Sequence, residues 1–228
     1  MVERGIIFTG PMVRAISDGR KTQTRRVVKS QPDAVHGVDP YWHVGGYRAW
    51  RYRDTSDTLR MGTHNELQCP YGKPGNRLWV RETWRPCGDD EMSMGGIEAL
   101  RPSIAYKADE EWDNESKWRP SIHMPRWASR ITLEITDISV ERLQDISHSD
   151  AEAEGARWRD FGKDQSGQCL PGWSMEDPFP EYHAGCLSTA RMAFANYINK
   201  LHGGKNWNLK PSCLWDENPW VWVIEFKR

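Results

Sequence analysis

Long hydrophobic runs are the first thing missing from this chain of 228 residues. No stretch approaches the roughly 18 consecutive apolar residues of a membrane-spanning helix, and the opening MVERGIIFTGP, with Glu3 in it, is unlike a secretory leader. The expectation is a cytoplasmic protein with no membrane partner. Paired cysteines are missing too. Cys69, Cys87, Cys169, Cys186 and Cys213 are odd in number, widely spaced and never in a C-x-x-C pair, which argues against a disulfide framework and predicts reduced thiols. An excess of one charge is also absent: 31 Lys and Arg face 32 Asp and Glu, for a net charge of -1. That balance excludes a polybasic or histone-like chain, so charge alone recruits no partner.

The common catalytic signatures are absent as well. Without a Walker A loop, a G-x-G-x-x-G turn, an H-E-x-x-H helix or a G-x-S-x-G elbow, nucleotide hydrolysis, hydride transfer and zinc proteolysis have no support, and no cofactor is implied. The seven histidines are scattered. His64 and Cys69 have a metal-like spacing but lack two further ligands, so no metal site is expected.

What the chain does have is tryptophan: 13 of them, against 7 Tyr and 5 Phe, with a mean hydropathy of -0.78. Such rings fill a core or form faces on which bases stack, and composition does not separate the two roles. With 38% hydrophobic residues, one core of ordinary size is expected.

Periodicity predicts a strand over 4–9 and a two-turn helix over 11–18, started by Pro11 and stopped by Gly19. Further strands are expected at 77–84, with Leu78 and Val80 sharing a face, at 104–106, at 130–140 through Ile131, Leu133 and Ile135, and at 219–226. Ser147 with an acid three residues on predicts a short acidic helix ended by Gly155, and 188–202 reads as an amphipathic helix through Met192, Ala195, Tyr197, Ile198 and Leu201. Residues 30–70 look like an excursion carrying at most a hairpin at 47–52 and no core. Residues 88–96 read as a loop, and 157–185 as irregular. Together these elements predict an α+β fold: a small, mainly antiparallel β-barrel with flanking helices, long loop insertions, and the two termini paired in one sheet.

The chemically suggestive segment is Arg20-Lys21-Thr22-Gln23-Thr24-Arg25-Arg26-Val27-Val28-Lys29. One reading is a solvated basic loop. The other is a nucleic-acid contact in which Arg20, Arg25, Arg26 and Lys29 meet phosphates, joined by Arg77, Arg81, Arg126 and Arg130. Lys21 and Thr24 also suit nucleophilic chemistry, because a hydroxyl needs a base and a buried lysine supplies one.

These residues also carry a family resemblance. Gly19-Arg20-Lys21-Thr22-Gln23-Thr24-Arg25-Arg26 after a short helix, Pro74-Gly75-Asn76-Arg77-Leu78-Trp79-Val80-Arg81-Glu82, the acidic Ala151-Glu152-Ala153-Glu154-Gly155, and Val221-Trp222-Val223-Ile224-Glu225-Phe226 resemble, in that order, the ASCH domain of the PUA-like superfamily. Cys69-Pro70-Tyr71-Gly72, the run from Trp118 to Arg130, and Asn218-Pro219-Trp220-Val221-Trp222-Val223 resemble its phage and prophage members. The resemblance implies one PUA-like barrel over 1–228 with insertions near 31–66, 85–101 and 157–185, working in the cytoplasm of a bacterial host. It further implies recognition of nucleic acid or of a modified nucleoside. Members that remove the acetyl group of N4-acetylcytidine place a Lys, a Thr and a Glu at positions matching Lys21, Thr24 and Glu154. Other members resemble ribonucleases or bind RNA or DNA without catalysis, so the fold alone does not fix the reaction.

Overall fold

In the computed structural model, residues 2–29, 31, 39–42, 48–53, 64–87, 103–109, 117–203 and 213–228 are described. The fold is α+β and mainly antiparallel. Its centre is a five-stranded sheet in the order β1 (Glu3–Ile7), β6 (Arg77–Arg81), β9 (Thr132–Arg142), β12 (Trp220–Lys227), β2 (Gln23–Val27). Only the β1–β6 pair is parallel. The strands expected at 4–9, 77–84, 130–140 and 219–226 all lie in this sheet, and the one at 104–106 does not. The first and last strands are not neighbours, however, because β12 lies between β9 and β2 while β1 pairs with β6.

The sheet is open rather than a closed barrel among the described residues. Its two edge strands exchange no ladder; a side chain reaches across instead, Arg26 Nη2 donating to the Ile7 carbonyl at 2.6 Å. The Phe8 and Phe226 rings meet in the core with centroids 6.2 Å apart.

β12 explains how the layers stack. Strand residues alternate sides, yet Val221, Trp222, Val223 and Ile224 are all buried, so both faces of this strand are covered. Trp222, Ile224 and Phe226 join the core under α1 (Gly10–Ser17), with Ile6, Phe8, Val13, Leu78, Leu133 and Ile135. Val221 and Val223 join a second core under α2 (His148–Ala153) and α3 (Ala190–Gly203). The apolar face of α3 is Ala190, Ala193, Phe194 and Ile198; Met192 and Leu201, expected on that face, are 49% and 40% exposed. No helix among the described residues is long and apolar enough to cross a membrane.

The excursions hold more structure than expected. Strands β3 (Asp39–Trp42), β4 (Arg48–Arg53) and β5 (His64–Leu67) form a three-stranded antiparallel sheet, and Leu67 is buried in the main core. Strand β7 (Trp84–Cys87) pairs with β8 (Ser103–Tyr106). The stretch read as irregular contains the hairpin β10 (Arg157–Lys163) and β11 (Cys169–Ser174). A single helical turn, α4 (Leu214–Glu217), precedes β12. The loop expected at 88–96 lies outside the described residues.

Candidate functional site

Two helix C-termini build the site, and both stop for the same reason. Gly19, at φ 72°, ends α1: its N–H donates to the Ile16 carbonyl at 3.1 Å and the Arg20 N–H to the Ala15 carbonyl at 2.8 Å. Gly155, at φ 111°, ends α2 with the same pair of bonds, its own N–H to Glu152 and the Ala156 N–H to Ala151. This double bond pattern is the Schellman turn, which needs a residue tolerant of positive φ. At its other end α2 is fixed by a capping box between Ser147 and Asp150. The two stops then abut. Thr22 N–H donates to the Ala153 carbonyl at 2.9 Å, and a Cβ on Gly155 would lie 3.5 Å from the Ala15 Cβ and 3.9 Å from the Lys21 Cβ.

That junction brings together two residues 133 positions apart. Lys21 Nζ donates to Glu154 Oε2 at 2.5 Å and to the Glu154 carbonyl at 2.9 Å. Lys21 is 2% exposed and Glu154 3%. Burial lowers the proton affinity of Lys21 below that of a free lysine, a larger effect than the opposing pull of the Glu154 carboxylate. The amine is thereby shifted toward the state of a base. The second carboxylate oxygen, Glu154 Oε1, is buried without a hydrogen bond; Arg25 Nη1 stands 3.6 Å away.

The arginines of the basic decade do not form one face. Alternation along β2 sends Arg25, opposite Val223, toward Phe194 and sends Arg26, opposite Trp222, toward Phe8. Arg25 is 5% exposed and lies near three carboxylates, Glu141 at 3.3 Å, Asp150 at 3.4 Å and Glu154. Lys29 is exposed, and Arg20 is half-buried against Asp18. Arg81 lies over Trp79 and donates to the Ile122 carbonyl. Arg126 pairs with Glu3, and Arg130 forks onto Glu82 and onto Asp109. The basic surface expected from these residues is therefore largely committed to internal partners.

Thr24 is buried on β2, opposite Ile224, on the side of the sheet that carries Arg26. No hydrogen bond joins it to Lys21 or Glu154 among the described residues. Beside Glu154 a narrow cleft opens between α1, α2 and α3, lined by Ala15, Arg20, Arg157, Met175, Asp177 and Tyr197. Its interior has room for about one water molecule. A second, wider groove of about 660 Å³ is lined by Thr22, Gln23, Thr136, Ser149, Asp150 and Glu225.

Three residues at the first cleft escaped the sequence reading as site residues. Tyr197 was legible as part of a helix face, but its hydroxyl contact with Thr9 at 2.9 Å depends on how α3 docks. Arg157 and Asp177 belong to the segment read as irregular, and no spacing or motif marks them. Cysteine chemistry gains no support: Cys69, Cys169, Cys186 and Cys213 are free thiols, and burial pushes the Cys69 thiol up to about 11. No family model, curated protein or solved structure matches this chain.

Proposed function

We propose that this chain is a PUA-like, ASCH-type protein that recognises a modified nucleobase and hydrolyses the amide of an N4-acylated cytosine. The observation that carries the proposal is the buried Lys21–Glu154 pair, with a lysine of depressed proton affinity and a carboxylate oxygen left without a hydrogen bond. A surface ion pair would need neither feature. Buried pairs are costly to desolvate, which makes one at the junction of two helix ends a candidate for chemistry rather than for stability.

In this reading the Thr24 hydroxyl oxygen attacks the acyl carbonyl carbon while its proton passes to the Lys21 amine. Collapse of the tetrahedral adduct breaks the bond between that carbon and N4. The departing amine takes its proton from the Lys21–Glu154 pair. Water then attacks the acyl ester on Thr24, releasing the carboxylic acid and restoring the hydroxyl. Of the three residues only Glu154 lines the cleft, whose interior admits little more than water, so in this reading substrate entry requires α1 and α2 to part there.

A second reading, recognition without catalysis, is favoured by the wider groove. There Gln23 supplies an amide, Asp150 and Glu225 carboxylates, and Thr22 a hydroxyl, groups suited to the edge of a base. The separating experiment follows acetate release from N4-acetylcytidine by the wild-type protein and by Thr24→Val, Lys21→Met and Glu154→Gln. The hydrolytic reading expects turnover by the wild type, loss of most of it in each variant, and a double variant hardly worse than the poorer single. A wild-type protein that binds the nucleoside and releases no acetate leaves the recognition reading standing alone.

A further inference from the structure

The mouth of the cleft beside Glu154 carries two arginines from distant segments, Arg20 after α1 and Arg157 at the start of β10. Arg157 is held in place: its Nη2 donates to the Glu176 carbonyl at 2.8 Å and lies 3.5 Å from Asp177 Oδ1, and its guanidinium faces the Phe179 ring at 5.3 Å. Arg20 spends Nε and Nη2 on a single oxygen of Asp18, at 3.2 and 2.7 Å. Arg14 takes the other oxygen of Asp177 at 2.5 Å. Three guanidiniums thus share two carboxylates at this rim.

The remaining donors are what make the rim unusual. Among the described residues Nε and Nη1 of Arg157 and Nη1 of Arg20 have no hydrogen-bonded acceptor. The two cations also repel one another: burial first, and then the charge of Arg20, lower the proton affinity of Arg157. Both side chains are about 30% exposed, at 30% and 29%, so solvent only partly screens them. An anion between them would relieve the repulsion and use the spare donors. Guanidinium pairs match phosphate oxygens in both geometry and charge.

We propose that Arg20 and Arg157 form a phosphate subsite at the mouth of the cleft, so that the substrate is a phosphorylated nucleotide, free or within a strand, rather than a bare nucleoside. This rests on the reading of the Lys21–Glu154 pair as a nucleobase site. It gives the β10–β11 hairpin a role in substrate choice, because Arg157 is supplied by that hairpin.

The test is calorimetric titration of the whole 228-residue chain with cytidine, cytidine 5′-monophosphate and a short oligocytidylate, with acetate release measured in parallel from N4-acetylcytidine and its 5′-monophosphate. The subsite expects the monophosphate to bind at least about tenfold tighter than the nucleoside. It expects Arg157→Ala and, separately, Arg20→Gln to bring that ratio close to unity, and Arg126→Ala on another part of the surface to leave it unchanged. Tighter binding of the oligonucleotide than of the monophosphate identifies a strand as the source of the phosphate; the reverse identifies a free nucleotide. Equal binding of nucleoside and monophosphate overturns the subsite, even if both acetylated compounds are hydrolysed. A phosphate preference that depends on Arg157, without any acetate release, keeps the subsite and removes the amide reading. Failure of every compound to bind overturns both.

Discussion

Lys21 Nζ stands 2.5 Å from Glu154 Oε2 in a site from which both side chains are almost wholly withdrawn from water. Removing one partner leaves the other charge buried, which typically costs roughly 3–5 kcal/mol. Lys21→Met and Glu154→Gln are therefore expected to lower the urea midpoint strongly. The double variant should lose clearly less than the sum of the two. Additive losses would mean that the two groups do not interact. Activity of these variants has to be compared per folded molecule, since the same substitutions weaken the fold.

The lowered proton affinity of Lys21 fixes the sign of a pH effect. The folded chain gives up this proton before the unfolded chain does, so between the lowered value and about 10.4 the unfolded state holds more protons. Stability attributable to Lys21 should rise with pH across that window. Denaturation of wild type and Lys21→Met over a pH series measures it, and the stability of wild type minus that of the variant should climb. A difference that is flat or falling would show that the lysine is not desolvated.

Much of the sheet was legible because its strands bury side chains in a regular way. β9 shows alternation through Leu133 and Ile135, and β12 shows an unbroken apolar run because it is covered on both faces. The β10–β11 hairpin gave no such signal. β10 has no fully buried residue, and Gly162, Gly167 and Gly172 interrupt the pattern. α3 was legible as a helix but not in its orientation, since it packs through Ala190, Ala193 and Phe194 and leaves the larger Met192 outside. The Lys21–Glu154 contact has no periodic signature at all. It spans 133 residues and depends on two glycine stops, and only the family resemblance links the two residues.

Those glycine stops can be tested directly. Gly155→Ala places a side chain at φ 111°, against Ala15 and Lys21. A cost of roughly 1–2 kcal/mol is expected from the backbone conformation alone. Because the strain falls on the turn that follows Glu154 and packs on Lys21, turnover should fall by more than the folded fraction accounts for. A variant as stable and as active as wild type would show that the junction does not hold the site.

Arg130 separates a structural cation from a binding one. It forks onto the buried Glu82 at 2.9 and 3.0 Å and faces the Tyr106 ring at 4.0 Å. Arg130→Ala should cost roughly 3 kcal/mol by stranding Glu82, whose carboxyl burial already raises above its ordinary value. Lys29→Ala, at an exposed position, should leave stability almost unchanged while reducing the salt dependence of nucleic-acid binding. Thermal melts and binding titrations at several salt concentrations check both. An Arg130 variant that is stable but weak in binding would reverse the assignment.

The most direct measurement is mass spectrometry of the protein acid-quenched during turnover of N4-acetylcytidine and its 5′-monophosphate. The account expects a fraction of the protein to carry one acetyl group, mapped to the peptide containing Thr24 and absent from Thr24→Val. Acetate release by a protein that stays unmodified throughout, or undiminished release by Thr24→Val, would contradict it.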